Sequence, residues 1–387
     1  VHFGRAGETL VNDGFGAYFH TSDGELSGTS QINFLGRVQL ASNISLSANG
    51  SISFADSVDS VAGTTHALDV DAGTGQLSFS AAVGETQSLS DLTVKAGTLL
   101  AGAINVGSNG LVEIDVSNSA AVSDTMTAAN FVKSGAGLLD LAGVNNVALA
   151  NIESGTVLLS AASGDGLASA TSVAVGANGT LVLSPSGTAP GTALKSISGA
   201  GEIVLAANTA LSITAGRTSD IFSGTLSGDA STTLRLAGGT LTLSGATDFD
   251  GRVKVQGATL KLTANGDLSS AAGLSVEEVD GGVIDIADIS NSFTILPNFF
   301  TDTSTRSGSV LLGSKRLTIE TDANVSGVNG LLFSGAGGIL EKSGSGALRL
   351  TAANSFGGGS RISGGTLEVS SEQQLGAGDI KLAGGKL

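Results

Sequence analysis

The sequence has no cysteine and no tryptophan, and it contains only three prolines, one tyrosine and one methionine. Without cysteine, the chain can form no disulfide framework and carry out no thiol chemistry. The scarcity of proline leaves the backbone N–H groups free to form the ladders of a β-sheet. No apolar run comes near the roughly 20 residues that a membrane-spanning helix needs, so we expect no membrane insertion.

Charged residues are also scarce, at 13% of the chain, and they are unbalanced. The 34 acidic and 18 basic side chains give a formal net charge of −16. A negative field of this kind disfavours binding to nucleic acid and to anionic membranes. Because so few residues are charged, most of the exposed surface must be Ser, Thr, Asn, Ala and Gly. Such a surface suits contacts with glycans, with host or neighbouring cells, or with further copies of the chain. Self-association is expected through the flanks or through exposed coil ends, which would present unpaired strand edges.

Short stretches of alternating apolar and polar residues recur throughout the chain, as in Leu241-Thr242-Leu243 and Val253-Lys254-Val255. This alternation is typical of a strand with one buried face. The stretches are only a few residues long and are separated by Gly, Asn, Asp or Ser. Sustained helical periodicity is missing, and only a short segment such as 268–273 is predicted to form a helical turn.

The alternating stretches belong to repeats. Eight positions recur in the same order, at one constant offset and without a gap, namely Leu241, Leu243, Phe249, Gly251, Val255, Gly257, Leu260 and Leu268, which return as Leu348, Leu350, Phe356, Gly358, Ile362, Gly364, Leu367 and Leu375. A third, looser copy begins at Lys133 and needs a single-position shift to reach Leu159. Repeated short strands cannot bury their apolar faces singly, so they indicate a solenoid.

These observations predict an all-β fold, a right-handed parallel β-helix (β-solenoid) in the form of a single elongated rod. With about 20 residues per coil, the chain would form about 18 to 20 coils and extend on the order of 90 Å. Four of the repeated residues, Gly257, Gly364, Leu260 and Leu367, are predicted to have structural roles.

The clearest repeat lies near the end of the chain. It contains the run Lys342-Ser-Gly-Ser-Gly-Ala-Leu-Arg-Leu, the turn Asn354-Ser-Phe-Gly-Gly and the strand Gly364-Gly-Thr-Leu, in this order. This segment closely resembles the passenger-associated transport repeat of Gram-negative autotransporters. Residues 222–268 resemble it more loosely and residues 131–167 more weakly. The resemblance implies a secreted or surface-displayed scaffold at the outer-membrane exterior, acting as an adhesin in attachment, auto-aggregation or a biofilm matrix.

The first third of the chain differs, and residues 34–99 are similar to repeats of filamentous haemagglutinin-like adhesins. We therefore predict haemagglutinin-like coils over 1–130 and passenger-type coils over 131–387, with the clearest copies at 222–268 and 329–378. The two families are exported differently, one with its own barrel and the other through a partner transporter, and the sequence leaves this open. The terminal segments VHFGRAG and IKLAGGKL resemble cuts within a repeat, so we expect a fragment of a longer protein.

Enzymatic function is not expected. The three histidines, His2, His20 and His66, are too far apart in sequence to indicate a triad or a metal site. Some parallel β-helices cleave polysaccharides, which requires two carboxyl groups about 5 to 10 Å apart. The acidic candidates are Glu277-Glu278 with Asp280, Asp285 with Asp288, and Asp69 with Asp71. They are scattered and lack accompanying arginines or aromatics, so we expect solvated turn carboxylates. A polysaccharide-degrading enzyme and a subunit of an extracellular filament remain the alternatives.

No cofactor or metal is expected. The segment Asp69-Val-Asp71-Ala-Gly-Thr-Gly begins like a calcium loop, but it lacks the third ligand, the glycine at the sixth place and the terminal glutamate. Calcium binding is therefore unsupported by the sequence.

One segment departs from the alternating pattern of the repeats. Three phenylalanines, Phe293, Phe299 and Phe300, lie close together in a stretch that also contains Pro297. They would form either an apolar contact patch on a protruding loop or the core of a larger coil. Burial in the core is the commoner fate of phenylalanine and is favoured here, but these three residues are the candidate binding residues. A second aromatic cluster, Phe15 with Tyr18, Phe19 and His20, is predicted to be a packed end.

Overall fold

The structure is a computed structural model of the chain. It describes residues 9–12, 17–20, 25–28, 31–162, 166–167, 171–185, 191–216, 220–276, 281–290, 293–295, 308–323 and 326–387, of which 9–28, 293–295 and 326–329 are described by their backbone alone. The chain divides into two compact units, Val1–Leu194 and Lys195–Leu387.

Short strands make up most of the first unit. They are β1 (Thr9–Asn12), β2 (Ala17–His20), β3 (Glu25–Gly28), β4 (Gln31–Phe34), β5 (Val38–Leu40), β6 (Ile44–Ala48), β7 (Ser51–Phe54), β8 (Val58–Ser60), β9 (Leu68–Asp71), β10 (Gln76–Phe79), β11 (Asp91–Ala101), β12 (Ile104–Asn105), β13 (Leu111–Val122), β14 (Met126–Ser134), β15 (Leu138–Leu141), β16 (Asn146–Leu159), β17 (Ser172–Leu183) and β18 (Gly191–Leu194).

The second unit is built in the same way and adds one short 3₁₀ helix, Glu372–Leu375. Its strands are β19 (Ser196–Gly199), β20 (Glu202–Leu205), β21 (Ala210–Ile213), β22 (Ile221–Phe222), β23 (Thr225–Gly228), β24 (Thr233–Leu236), β25 (Gly239–Leu243), β26 (Thr247–Phe249), β27 (Arg252–Val255), β28 (Ala258–Ala264), β29 (Gly273–Val276), β30 (Val283–Ile289), β31 (Phe293–Ile295), β32 (Ser309–Leu311), β33 (Arg316–Glu320), β34 (Ser326–Asn329), β35 (Leu332–Gly335), β36 (Ile339–Ser343), β37 (Ala347–Leu350), β38 (Ser355–Phe356), β39 (Ser360–Ile362), β40 (Thr366–Glu368) and β41 (Ile380–Leu382).

The strands of successive coils pair in parallel, which confirms the predicted all-β parallel solenoid. Within the first unit, for example, β4 pairs with β7 and β7 pairs with β10. The exception among the described pairs is β1 with β2, which are antiparallel. The handedness of the coils stays a prediction.

The predicted number of coils was too high, because the solenoid has about 15 turns. The length of a coil can be read from the sequence offset between paired residues. Among the described parallel pairs this offset is shortest where Leu138 pairs with Thr156 and longest where Val283 pairs with Ser309. Many coils are therefore longer than the about 20 residues assumed from the repeat class, since their turns differ in length.

The predicted strand length was also wrong for the middle of the first unit. There β11, β13, β16 and β17 contain 11, 12, 14 and 12 residues. Each of these strands continues around a corner of the coil instead of stopping there. In the pairing of β11 with β13 the register shifts between Ala96 and Thr98, which is the signature of a bulge. A Cβ atom on the intervening Gly97 would lie 2.1 Å from the Thr74 carbonyl oxygen, so only glycine fits at this corner.

Inward-pointing side chains from every coil stack into columns and form the core. Phe34, Phe54 and Phe79 form one such column on β4, β7 and β10, with ring centroids 4.7 and 4.8 Å apart and planes inclined by 11°. This separation is the spacing of neighbouring strands, so the register of the ladder itself stacks the rings. The two repeated leucines, Leu260 and Leu367, are buried as predicted.

The two repeated glycines are required for different reasons. Gly257 has a φ of 56°, in the left-handed region that side chains other than glycine rarely adopt. In the last repeat the left-handed residue is Gly365, with a φ of 60°, one position beyond the predicted Gly364. Gly364 is required by close packing, because a Cβ atom there would lie 2.8 Å from the carbonyl oxygen of Gly344.

The predicted helical turn at 268–273 does not form, since that segment is a non-helical turn leading into β29. The corresponding turn of the last repeat is helical instead, at Glu372–Leu375. There Ser371 and Gln374 form a capping box. The equivalent positions of the preceding copy are Ala264 and Asp267, and the alanine cannot cap. The capping box is therefore present in the copy that contains the helix and absent from the other copy.

Candidate binding faces

The outward positions of the ladder in the first unit form a flat face of uncharged polar side chains. On β4, β7 and β10 these positions are Gln31, Asn33, Ser51, Ser53, Gln76 and Ser78, and the register aligns them in two columns. The Asn33 side-chain oxygen accepts hydrogen bonds from the Gln31 amide at 3.2 Å and the Ser53 hydroxyl at 2.7 Å. We call these six residues the polar face. It presents amides and hydroxyls at regular spacing and no charge.

The same ladder mixes aliphatic and polar side chains at its outward positions as it continues along β11, β13, β15, β16 and β17. Its outward positions include Leu100, Leu138, Leu158 and Val182. The side chains of Leu100 and Leu138 remain 51% and 38% exposed. Several exposed aliphatic side chains on one sheet, here in two adjacent columns, are typical of a contact surface. No phenylalanine occupies these outward positions, so aromatic clusters in the sequence give no sign of this surface.

The acidic candidates within the described residues, Asp69, Asp71, Asp285 and Asp288, are paired with basic or hydroxyl groups. Asp71 contacts Lys95 at 3.3 Å, and the Asp69 carboxylate accepts a hydrogen bond from the Ser45 hydroxyl. Asp288 contacts Lys261 at 2.7 Å, with Asp285 3.9 Å from the same ammonium group. These four carboxylates lie not at turns as predicted but on strands β9 and β30, where the alternation of the strands directs them outward.

The chemistry of the Lys261–Asp288 pair is not that of a general acid. The hydrogen bond from Lys261 lowers the pKa of the Asp288 carboxyl, whereas an acid that protonates a glycosidic oxygen needs a raised pKa. Among the described residues, no three His, Asp or Glu side chains are grouped closely enough to hold a metal ion. Glu277, Glu278 and Asp280 lie outside the described residues.

The aromatic candidates are only partly within the described structure. The backbone of Phe293 begins β31, which pairs with β33, while Phe299 and Phe300 lie outside the described residues. Whether these rings face solvent or the core stays a prediction. Of the histidines, His20 ends β2, His66 lies in a turn and is partly exposed, and His2 is outside the described residues. In the described part of the chain, no helix is long and apolar enough to cross a membrane.

Two lysines that begin copies of the sequence repeat are buried in the fold. Lys133 is fully buried, and its Nζ atom donates hydrogen bonds to the carbonyl oxygens of Ser134, of Gly135 at 2.9 Å and of Ser154 at 3.4 Å. Lys342 makes the equivalent contacts in the last repeat, including Gly344 at 3.1 Å and Gly364 at 3.3 Å. Burial lowers the pKa of both lysines, that of Lys133 to about 8. Each ammonium group therefore joins the turns of two coils.

Asparagines provide a second contact between coils. The side-chain oxygen of Asn354 accepts from the backbone N–H of Phe333 at 2.9 Å, and its amide donates to the Gln374 carbonyl at 2.6 Å. Asn145 makes the same kind of bridge in the third copy, between Met126 at 2.9 Å and Gly166 at 2.7 Å. The middle copy has Thr247 at this position, and its buried hydroxyl oxygen has no hydrogen-bond partner.

Replacing Thr247 with asparagine is therefore expected to stabilise the second unit. The new side chain would bridge two coils as Asn354 does and would remove the unsatisfied hydroxyl, for a gain of about 1–2 kcal/mol in the free energy of unfolding. Urea denaturation followed by circular dichroism measures the change. The reverse substitution Asn354→Thr should lower stability by a similar amount, and equal stability of both variants and the parent would contradict the bridging role.

The fold and these contacts define a class of protein, a parallel β-solenoid whose turns are joined by buried lysine and asparagine side chains. Two of its segments, residues 238–262 and 340–369, match the passenger-associated-transport-repeat family. These repeats are characteristic of autotransporter passenger domains, and they fall within the two regions, 222–268 and 329–378, where the sequence resemblance is clearest. No curated protein and no solved structure matches the chain. The haemagglutinin-like character of residues 1–130 stays a prediction.

Proposed function

We propose that the chain acts as a non-catalytic adhesive scaffold on the exterior of a Gram-negative cell. It would attach the cell to glycans or to neighbouring cells, and copies on adjacent cells would associate through their flanks. The observation that carries this proposal is the polar face, a regular array of uncharged hydrogen-bonding groups on a chain of net charge −16. The passenger-type repeats support it, because they are usually found in non-enzymatic scaffolds.

The aliphatic side chains on the continuation of this face support self-association. Two copies that approach through charged flanks would repel each other, since the chain carries a large negative surplus. Leu100, Leu138, Leu158 and Val182 offer an approach along which the described outward residues are mostly uncharged. Asp140, which accepts a hydrogen bond from the Ser160 hydroxyl, is the charged residue within it.

Beads coated with the purified full-length chain provide a direct test. We expect the coated beads to clump with one another or to be retained on immobilised glycans and on cells, whereas uncoated beads should do neither. The variant Ser53→Arg with Ser78→Arg places two long cations in the polar face and should reduce retention. The matched variant Ser108→Arg with Ser117→Arg changes exposed serines outside this face and should behave like the parent.

Coated beads that neither clump nor adhere to any glycan or cell surface would refute the adhesive function. Release of sugar fragments during the assay would support the alternative of a polysaccharide-degrading enzyme. Regular end-to-end fibres of the purified chain in electron micrographs would support the alternative of a filament subunit.

A further inference from the structure

One face of the second unit concentrates positive charge on an otherwise acidic chain. Strands β24, β27 and β29 pair in parallel, with Thr233 opposite Arg252 and Arg252 opposite Gly273. The next outward column consists of Arg235, Lys254 and Ser275. The intervening side chains on these strands are buried leucines and valines. The outward residues of the three strands thus comprise three cations and no acid, and we call them the basic face.

A cavity opens beside one of these cations. It has a volume of about 190 Å³ and is lined by Arg252, Ala272, Gly273, Leu274 and Ser275. Because Gly273 has no side chain, the position next to Arg252 on the neighbouring coil stays open. The cavity is smaller than the about 300–1,000 Å³ of pockets that enclose drug-sized ligands. It suits one sugar ring of a longer chain, with the remaining rings lying along the coils.

The Arg252 guanidinium group is available for a ligand. Its side chain is exposed and makes no hydrogen bond or ion pair with any residue that the structure describes. Its neighbour Arg235, in contrast, donates to the side-chain oxygen of Gln256. Arg316 and Arg361 elsewhere in the unit both contact Glu341, at 3.3 and 3.1 Å. Arg252, beside its cavity, therefore differs from the arginines that tie coils together.

From this geometry we infer that the basic face binds the carboxylate of a uronic acid in an acidic glycan, with Arg252 as the principal contact. A guanidinium group holds a carboxylate through two parallel hydrogen bonds, which a lysine ammonium cannot reproduce. Arg235 lies one column away and adds favourable charge, and the Ser275 side chain offers a hydroxyl to the sugar ring. The inference rests on the proposed function, because it names the chemical class of glycan that the scaffold recognises.

The test is titration of the full chain with a fluorescently labelled oligogalacturonate at low and physiological salt. We expect Arg252→Gln to raise the dissociation constant at least tenfold and Arg252→Lys to give an intermediate value, because lysine keeps the charge and loses the paired hydrogen bonds. Arg349→Gln is the matched control. It removes the same charge from an exposed residue of β37 that lines no part of this cavity, and it should bind like the parent.

Unchanged affinity of Arg252→Gln, or an equal loss in Arg349→Gln, would overturn the inference, since only net charge would then matter. A parent chain that fails to bind oligogalacturonate while its coated beads still clump would also overturn it, and would leave the adhesive function standing. Circular dichroism should show unchanged folding of Arg252→Gln, because exposed side chains make little contribution to stability.

Discussion

Replacing Asp59 with alanine is expected to lower the free energy of unfolding by about 3–5 kcal/mol. The Asp59 side chain is fully buried and accepts four hydrogen bonds, from Arg37 Nη2 at 3.0 Å, Ser57 Oγ at 3.1 Å, and the backbone N–H groups of Thr86 at 2.8 Å and Gln87 at 3.3 Å. Alanine would leave two backbone donors without an acceptor and the guanidinium group without its counter-charge. Urea denaturation of the full chain measures the loss.

Hydrogen exchange shows which part of the chain is destabilised by Asp59→Ala. The N–H groups of Thr86 and Gln87 belong to a turn of the following coil that is held by the Asp59 carboxylate, so they should lose protection in Asp59→Ala before the neighbouring strands do. Asp59→Asn is the matched control. It keeps an acceptor for the two N–H groups, but an NH2 group replaces the oxygen that accepts from Arg37 and Ser57, and we expect a smaller loss of about 1–2 kcal/mol. Equal losses in both variants would show that the contacts with Arg37 and Ser57 account for the loss and that the turn is held by other contacts.

The sequence was sufficient to predict the fold because the same short alternation of apolar and polar residues recurs along the solenoid. The alternation at Leu241-Thr242-Leu243 is visible in three consecutive residues. Its recurrence at Leu348-Arg349-Leu350 is visible when two copies of the repeat are compared. The number of coils was not predictable in this way. It depends on the length of each turn, and the long connection between β30 and β32 leaves the strand pattern intact while lengthening its coil.

The buried polar contacts were less predictable, because alternation predicts that some of these buried side chains face solvent. Asp59 lies between Val58 and Ser60 and would face solvent on an isolated strand, yet the turn from the next coil covers it. For Lys133, in contrast, the alternation correctly predicts a buried position. It occupies the inward position of the pattern Phe131-Val132-Lys133, opposite Ile114, where a cation is unexpected. A lysine on the apolar side of a strand was therefore the available signal for a buried cation.

The candidate sites were the least predictable part. Arg235, Arg252 and Lys254 each stand at polar positions of alternating strands, so the sequence identifies them as outward-facing. Their grouping depends on register, since Arg235 pairs with Lys254 on the next coil. A search for clusters in the linear sequence led instead to Phe293, Phe299 and Phe300, which are neighbours along the chain. In a solenoid, residues one coil apart are the neighbours that form a face.

The buried ammonium group of Lys133 is expected to make the chain more stable as the pH rises. Burial lowers its pKa from 10.5 to about 8 in the folded state, with Asp115 acting in the opposite direction. Below the pKa of the folded state, Lys133 is protonated in both the folded and the unfolded chain. Between the two pKa values the unfolded chain binds more protons than the folded chain, so the free energy of unfolding increases with pH. The expected gain from about pH 7.5 to about pH 9.5 is about 1–2 kcal/mol.

Urea titrations of the parent and of Lys133→Met at both pH values measure this gain. In the variant, the increase in the free energy of unfolding with pH should be smaller by about 1–2 kcal/mol. Lys342, whose pKa is also lowered by burial, still contributes to the increase that is left. Lys95→Met removes an exposed lysine and should leave the rise intact. Equal rises in the parent and in Lys133→Met would mean that the carbonyl oxygens of Ser134, Gly135 and Ser154 hold the proton on Lys133 throughout this range.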